Sequence, residues 1–270
     1  MRLRVLRSTV AAASFGMMLC AAQPALAGAV SRADFTFPAE TGLNVVVFRP
    51  DVHVGSLKVG GLDEANVEWT EAARTNIQTA LEGSSEFKDA KITFLDELEG
   101  DNAAVLNDYR GLFEAVAGAM FTHVTTGAQM LPTKEYTIPP KGGKFDTRAK
   151  KGSKVDWSLG EGAAQLREIT GSDYAMFVFT HDAYGDSGRK AAQAVGMLGC
   201  LIGVCVIIPA GVHIGYAGLV ELKTGNIVWF NTDLAMGGDV REVDGAQKRV
   251  GQLLAGFPKR DGEIVTEKKD

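Results

Sequence analysis

The chain has 270 residues, with 28 Lys and Arg against 33 Asp and Glu and a net charge of −5. That acidic balance argues against a nucleic-acid binder or a polybasic membrane-surface protein, both of which need basic excess. With 46% hydrophobic and 23% charged residues, the composition is that of a globular protein with one sizeable core.

At the N-terminus, Arg2, Arg4 and Arg7 form a positive head and Val10 to Ala22 is apolar and uncharged. Ala25-Leu26-Ala27 then places small residues ahead of Gly28. This three-part layout predicts a secretory signal over residues 1–27, cleaved between Ala27 and Gly28, and a periplasmic address. Cys20 follows Met17-Met18-Leu19 rather than the small residue that lipid attachment requires, so no lipid anchor is expected. Export leaves Cys200 and Cys205 in an oxidising compartment, where cysteines usually pair. His53, His123, His181 and His213 are scattered, none at a ligand spacing from another, so no metal and no cofactor is expected.

Residues 28–42 read as a leader to a domain over 43–258. Leu43 to Phe48 is a buried first strand closed by Arg49-Pro50, and Val52 to Val59 is a second extended piece. A helix follows with Trp69, Ala73, Ile77, Ala80 and Leu81 on one face, stopping at Gly83. Lys91 to Leu95 is a short strand. Val105, Tyr109, Leu112, Phe113, Val116 and Met120 recur at helical spacing, behind Asp101 or Asn102 as a cap. Residues 130–156 mix prolines and glycines with lysines, the composition of a mobile basic insertion.

Beyond the insertion, a helix is expected through Ile169, an apolar strand over Asp173 to Thr180, and a short helix from Ser187 to about Gln193. Val212 to Leu222 and Asn226 to Asn231 form a hairpin around Lys223-Thr224-Gly225. A C-terminal helix runs from about Val243 to Leu254 with Ala246, Val250, Leu253 and Leu254 inward, and residues 259–270 form a charged tail. Interleaved strands and helices predict an α/β fold: a layered single domain with a mixed sheet, a late β-hairpin and a C-terminal helix.

Two features invite a functional reading. Gly185-Asp186-Ser187-Gly188 resembles the tetrapeptide around the nucleophile of trypsin-like proteases. Ser187 with His181 as base is therefore the hydrolase alternative, although that family's separate histidine segment and two-barrel fold are missing. No GxGxxG or GxxxxGK[ST] motif marks a nucleotide site. The second feature is the apolar run from Ala194 to Ile208. As a helix its fifteen residues span roughly 22 Å, short of the roughly 30 Å hydrocarbon core. On a regular helix Cys200 and Cys205 lie about 7.5 Å apart in rise, too far for a disulfide. Flanking a turn they face each other. The expectation is a disulfide-closed apolar loop carrying Leu198, Leu201, Ile202, Val204 and Ile207 as a contact for a membrane surface or an envelope protein.

The signal, the VVVFRPDV opening strand and the late LVELKTGNIVWFN hairpin followed by a helix resemble small exported envelope proteins of proteobacteria. More distantly they resemble the α/β domain shared by the curli-secretion channel protein, the activators of penicillin-binding proteins and the TolB N-terminal domain. The resemblance implies a non-enzymatic binding or adaptor role in envelope assembly or secretion, near the outer membrane. A membrane-associated secretion oligomer is the third reading, with a homo-oligomer and no nucleic acid among the expected partners.

Overall fold

The computed structural model describes residues 27–31, 35–38, 43–88, 90–95, 100–125, 157–200 and 208–258. The signal head, the basic insertion and the charged tail lie outside them. The elements in chain order are β1 (Ala27–Ser31), β2 (Leu43–Phe48), β3 (Asp51–Leu57), β4 (Asp63–Ala65), α1 (Val67–Glu82), β5 (Ala90–Leu95), α2 (Ala103–Thr125), α3 (Ala164–Thr170), β6 (Tyr174–Gly185), α4 (Ser187–Cys200), β7 (Gly211–Glu221), β8 (Ile227–Asp233) and α5 (Val243–Leu253).

The strands form one mixed eight-stranded sheet in the order β1-β8-β7-β6-β2-β5, with β3 pairing both β6 and β4. The bend at Arg49-Pro50 lets consecutive strands share one neighbour. β2 runs parallel to Tyr174–Met176 of β6, and β3 runs parallel to Phe179–Gly185 further along the same strand. The expected hairpin is present as β7 and β8. Gly225 turns it at φ +72°, in the left-handed region that glycine tolerates. A Cβ there would lie 2.0 Å from the Gly160 carbonyl oxygen.

Side chains alternate across the sheet. Val45, Val47, Met176 and Leu219 face α1 and α5, where they meet Ile77, Leu81, Val250 and Leu253. Val46, Ala175, Phe177 and Phe230 face α2 and α3, where they meet Leu106, Phe113 and Leu166. The result is a layered α/β domain with a core on each face of the sheet. Helix α1 starts where the Asn66 side chain accepts the Trp69 N–H at 2.9 Å, and it stops at Gly83. On the other face, Phe113 of α2 stacks on Phe177 at 4.1 Å.

Several elements differ from expectation, among them the short strand β4. Residues 27–31, at the edge of the expected leader, form a strand antiparallel to β8. β6 continues through His181 to Gly185 because β3 and β7 flank its far half. Helix α4 runs to Cys200 instead of ending near Gln193. Asp186 caps its start by accepting the Arg189 N–H at 2.7 Å, and Ala191, Ala192, Ala194, Met197 and Leu198 are good helix formers. The first arm of the proposed apolar hairpin is therefore helical up to Cys200. Among the described residues, no helix is long and apolar enough to cross a membrane.

Candidate functional site

The largest concentration of buried polar groups lies between β6, β7 and α5. Period-two alternation puts Thr180, Asp182 and Tyr184 of β6 on the face covered by α1 and α5. His213 of β7 pairs with Asp182 in the ladder. From above, α5 lowers Arg249 among Ala246, Val250 and Leu253, the same helical stripe. Thr180, Asp182 and Arg249 are all fully buried.

Arg249 uses every N–H it has. Nε donates to the Gly237 carbonyl at 3.1 Å. Nη1 donates to Thr180 Oγ1 at 2.7 Å and Asp182 Oδ2 at 2.8 Å. Nη2 donates to Asp182 Oδ1 at 2.7 Å and the Gly238 carbonyl at 3.1 Å. Asp182 is equally committed. Its Oδ2 also accepts the Thr180 hydroxyl at 2.8 Å, and its Oδ1 lies 2.7 Å from His213 Nδ1. An ionised carboxylate only accepts, so His213 Nδ1 is the donor there. Burial pushes the Asp182 carboxyl up, but hydrogen bonds from His213, Arg249 and Thr180 and the charge of Arg249 outweigh it and hold the group below its ordinary value.

A second layer closes over this centre. The Tyr184 ring lies 4.9 Å from His213, and its hydroxyl accepts the Val240 N–H at 3.1 Å. The Arg241 guanidinium sits 3.9 Å from the Tyr184 centroid and 4.5 Å from that of Trp69. Asp239 receives Arg241 Nε at 2.8 Å and Nη2 at 2.6 Å. Those bonds, against some burial, hold the Asp239 carboxyl at about 2. Chemically this is a closed clamp: it fixes one imidazole tautomer and ties α5 to the sheet, with its carboxylate spent on a guanidinium.

The residues expected to act are distributed differently. Ser187 is exposed as the first residue of α4, and Asp186 of its tetrapeptide is a helix cap. His181 gives Nε2 to Asp63 Oδ2 at 2.8 Å, and no hydrogen bond joins it to Ser187 among the described residues. Leu198 is exposed on α4 beside Val195 and Met197. Cys200 is the last residue of α4, whereas Leu201, Ile202, Val204, Cys205 and Ile207 lie outside the described residues. Among the described residues no three His, Cys, Asp or Glu converge on a metal position.

The Asp182–Arg249 clamp escaped sequence reasoning because its members lie 67 residues apart. One signal was present: Arg249 falls three residues after Ala246 and four before Leu253, inside an otherwise apolar stripe.

No protein-family model matches the chain, and no curated protein matches it by sequence. Among solved structures, the chain has a weak likeness to the PelC dodecamer of Paraburkholderia phytofirmans. The TM-score is 0.39 at 8% identity, over 87% of this chain and 99% of that one. A single-substitution variant of the same dodecamer aligns at TM-score 0.37 and 8% identity, with the same coverage.

Proposed function

We propose that this chain is a non-enzymatic exported envelope protein that binds another envelope component through α4 and the apolar run that continues from it. The observation that carries this reading is the outer face of α4. Val195, Met197 and Leu198 are 68%, 66% and 63% exposed, while Arg189 on the same helix is bonded inward to the Pro209 and Lys58 carbonyls. One side of the helix is thus fastened to the domain, and the other offers water three large apolar side chains in four residues. Such a patch favours a partner that removes it from water. Leu201, Ile202, Val204 and Ile207 extend the same apolar sequence, and a Cys200–Cys205 disulfide belongs to this reading. Cleavage after Ala27 leaves Gly28–Ser31 opposite Trp229–Thr232 in the sheet, so export and the edge strand are compatible.

The test is the native mass of the protein after gentle detergent extraction of the cell envelope, compared with a Val195→Ser, Met197→Ser, Leu198→Ser variant. The wild type is expected in a detergent-dependent complex and the variant as a free monomer. Monomers in both cases overturn the reading. Ester hydrolysis abolished by Ser187→Ala would instead establish the hydrolase.

A further inference from the structure

Helix α4 turns one side to the domain and leaves the other in water. At about 100° per residue, Arg189, Ala192, Gln193 and Gly196 share a side, and all four are buried or half-buried. In the first turn Gly188 lets the helix approach the β3–β4 turn, where a Cβ would lie 3.0 Å from Val59 Cγ2. The opposite side carries Lys190, Ala191, Ala194, Val195, Met197 and Leu198, every one of them exposed. From Met197 through Leu198 to Val195 this arc covers about 160°. Among the described residues, Lys190 is the one polar side chain on it. The β3–β4 turn that Gly188 approaches adds Val59 and Leu62, 56% and 70% exposed. Along the chain, no Asp, Glu, Lys or Arg occurs between Lys190 and Glu221.

We propose that α4 and the β3–β4 turn lie in the surface of a phospholipid bilayer, with Val195, Met197, Leu198, Val59 and Leu62 among the acyl chains and Lys190 reaching back to the phosphates. This rests on the reading of α4 as the binding face and names lipid as what it binds. Three observations favour lipid over a protein partner. The exposed arc is wider than the stripe of about 100° that seats a helix on one neighbour. The centres of protein interfaces draw on Tyr, Trp, Phe and Arg and on directed hydrogen bonds, whereas these five side chains are aliphatic or thioether and gain from any apolar surroundings. The charge on the arc is a lysine, whose stem can lie along apolar surface while its ammonium stays among the headgroups. An apolar face edged by lysine is the pattern of a helix lying in the bilayer plane. Its 14 residues span about 21 Å, short of the roughly 30 Å hydrocarbon core, so the helix lies along the membrane and does not cross it. Arg189, bonded to the Pro209 and Lys58 carbonyls, fixes the roll of the helix with the arc already facing outward.

The experiment floats the purified chain on a density gradient with vesicles of phosphatidylethanolamine and phosphatidylglycerol. The wild type is expected to rise with the vesicles. The Val195→Ser, Met197→Ser, Leu198→Ser variant should bind at least ~10-fold more weakly, because three large apolar side chains no longer leave water. A Leu198→Trp variant should still float, and bromine atoms on the acyl chains should quench its emission more than that of the wild type. Wild-type protein that stays below the vesicles, a triple variant that floats equally well, or an added indole untouched by bromine overturns the proposal. The two readings fail differently. A chain that ignores vesicles yet forms a native complex that the triple variant loses binds a protein through α4, whereas flotation that survives the triple substitution removes α4 from both. The altered positions are all exposed, and the wild-type arm alone can overturn the proposal, so a variant that fails to fold does not blunt the test.

Discussion

At Asp182 and Arg249, folding removes two full charges from water, and the return is four hydrogen-bonded acceptor positions and five satisfied donors. Removing one partner strands the other. Arg249→Met is expected to lower stability by about 3–5 kcal/mol in urea unfolding, and adding Asp182→Leu should recover much of that loss, because a buried apolar pair carries no desolvation penalty. The same residues set the acid limit. A carboxyl with a folded pKa below its unfolded value stabilises the fold above the ordinary range and loses that contribution as pH falls through the folded value. Asp182 is lowered, and Asp239 moves from 3.8 to about 2. Thermal melts should therefore hold steady from neutrality to about pH 5 and fall steeply between about pH 4 and pH 2. Arg241→Gln should flatten the lower part of that fall by releasing Asp239.

Strand β7 shows how an element can be specified by what it lacks. Gly218 lies beneath the Phe113 ring, and a Cβ there would be 2.5 Å from Cζ. Gly218→Ala should therefore push α2 off the sheet and cost about 1–3 kcal/mol by overpacking, read as a lower urea midpoint at unchanged slope. Legibility in the sequence followed the same logic of burial. The stripe of α1, the run of β2 and the β7–β8 hairpin were readable because each repeats its pattern over several residues. Residues 27–31 (AGAVS) and 63–65 (DEA) carry no strand pattern; β1 and β4 exist because β8 and β3 offer them backbone partners. The length of α4 was hidden for another reason: its outer face is as apolar as a core segment, so periodicity had no polar side to register.

Across the whole molecule, the fold class was readable and the site was not. Alternating elements announce a layered sheet, but only the finished sheet sets His53 beside His181 and Asp182 beneath Arg249. Those pairings depend on strand order and register, which no local pattern encodes. Most of the large exposed apolar side chains gather around α4 and the β3–β4 turn, including Val59 and Leu62 along with the three on the helix; the position of Val59 beside Gly188 joins the two regions.

The distance of 67 residues between Asp182 and its guanidinium also gives the fold a direction in time. β6 is synthesised before α5, and until α5 docks, the Asp182 carboxylate lacks its guanidinium partner, so its burial carries an uncompensated desolvation cost. A chain truncated before α5 is therefore expected to keep the far half of β6 hydrated, read as fast amide hydrogen exchange at Thr180 to Tyr184.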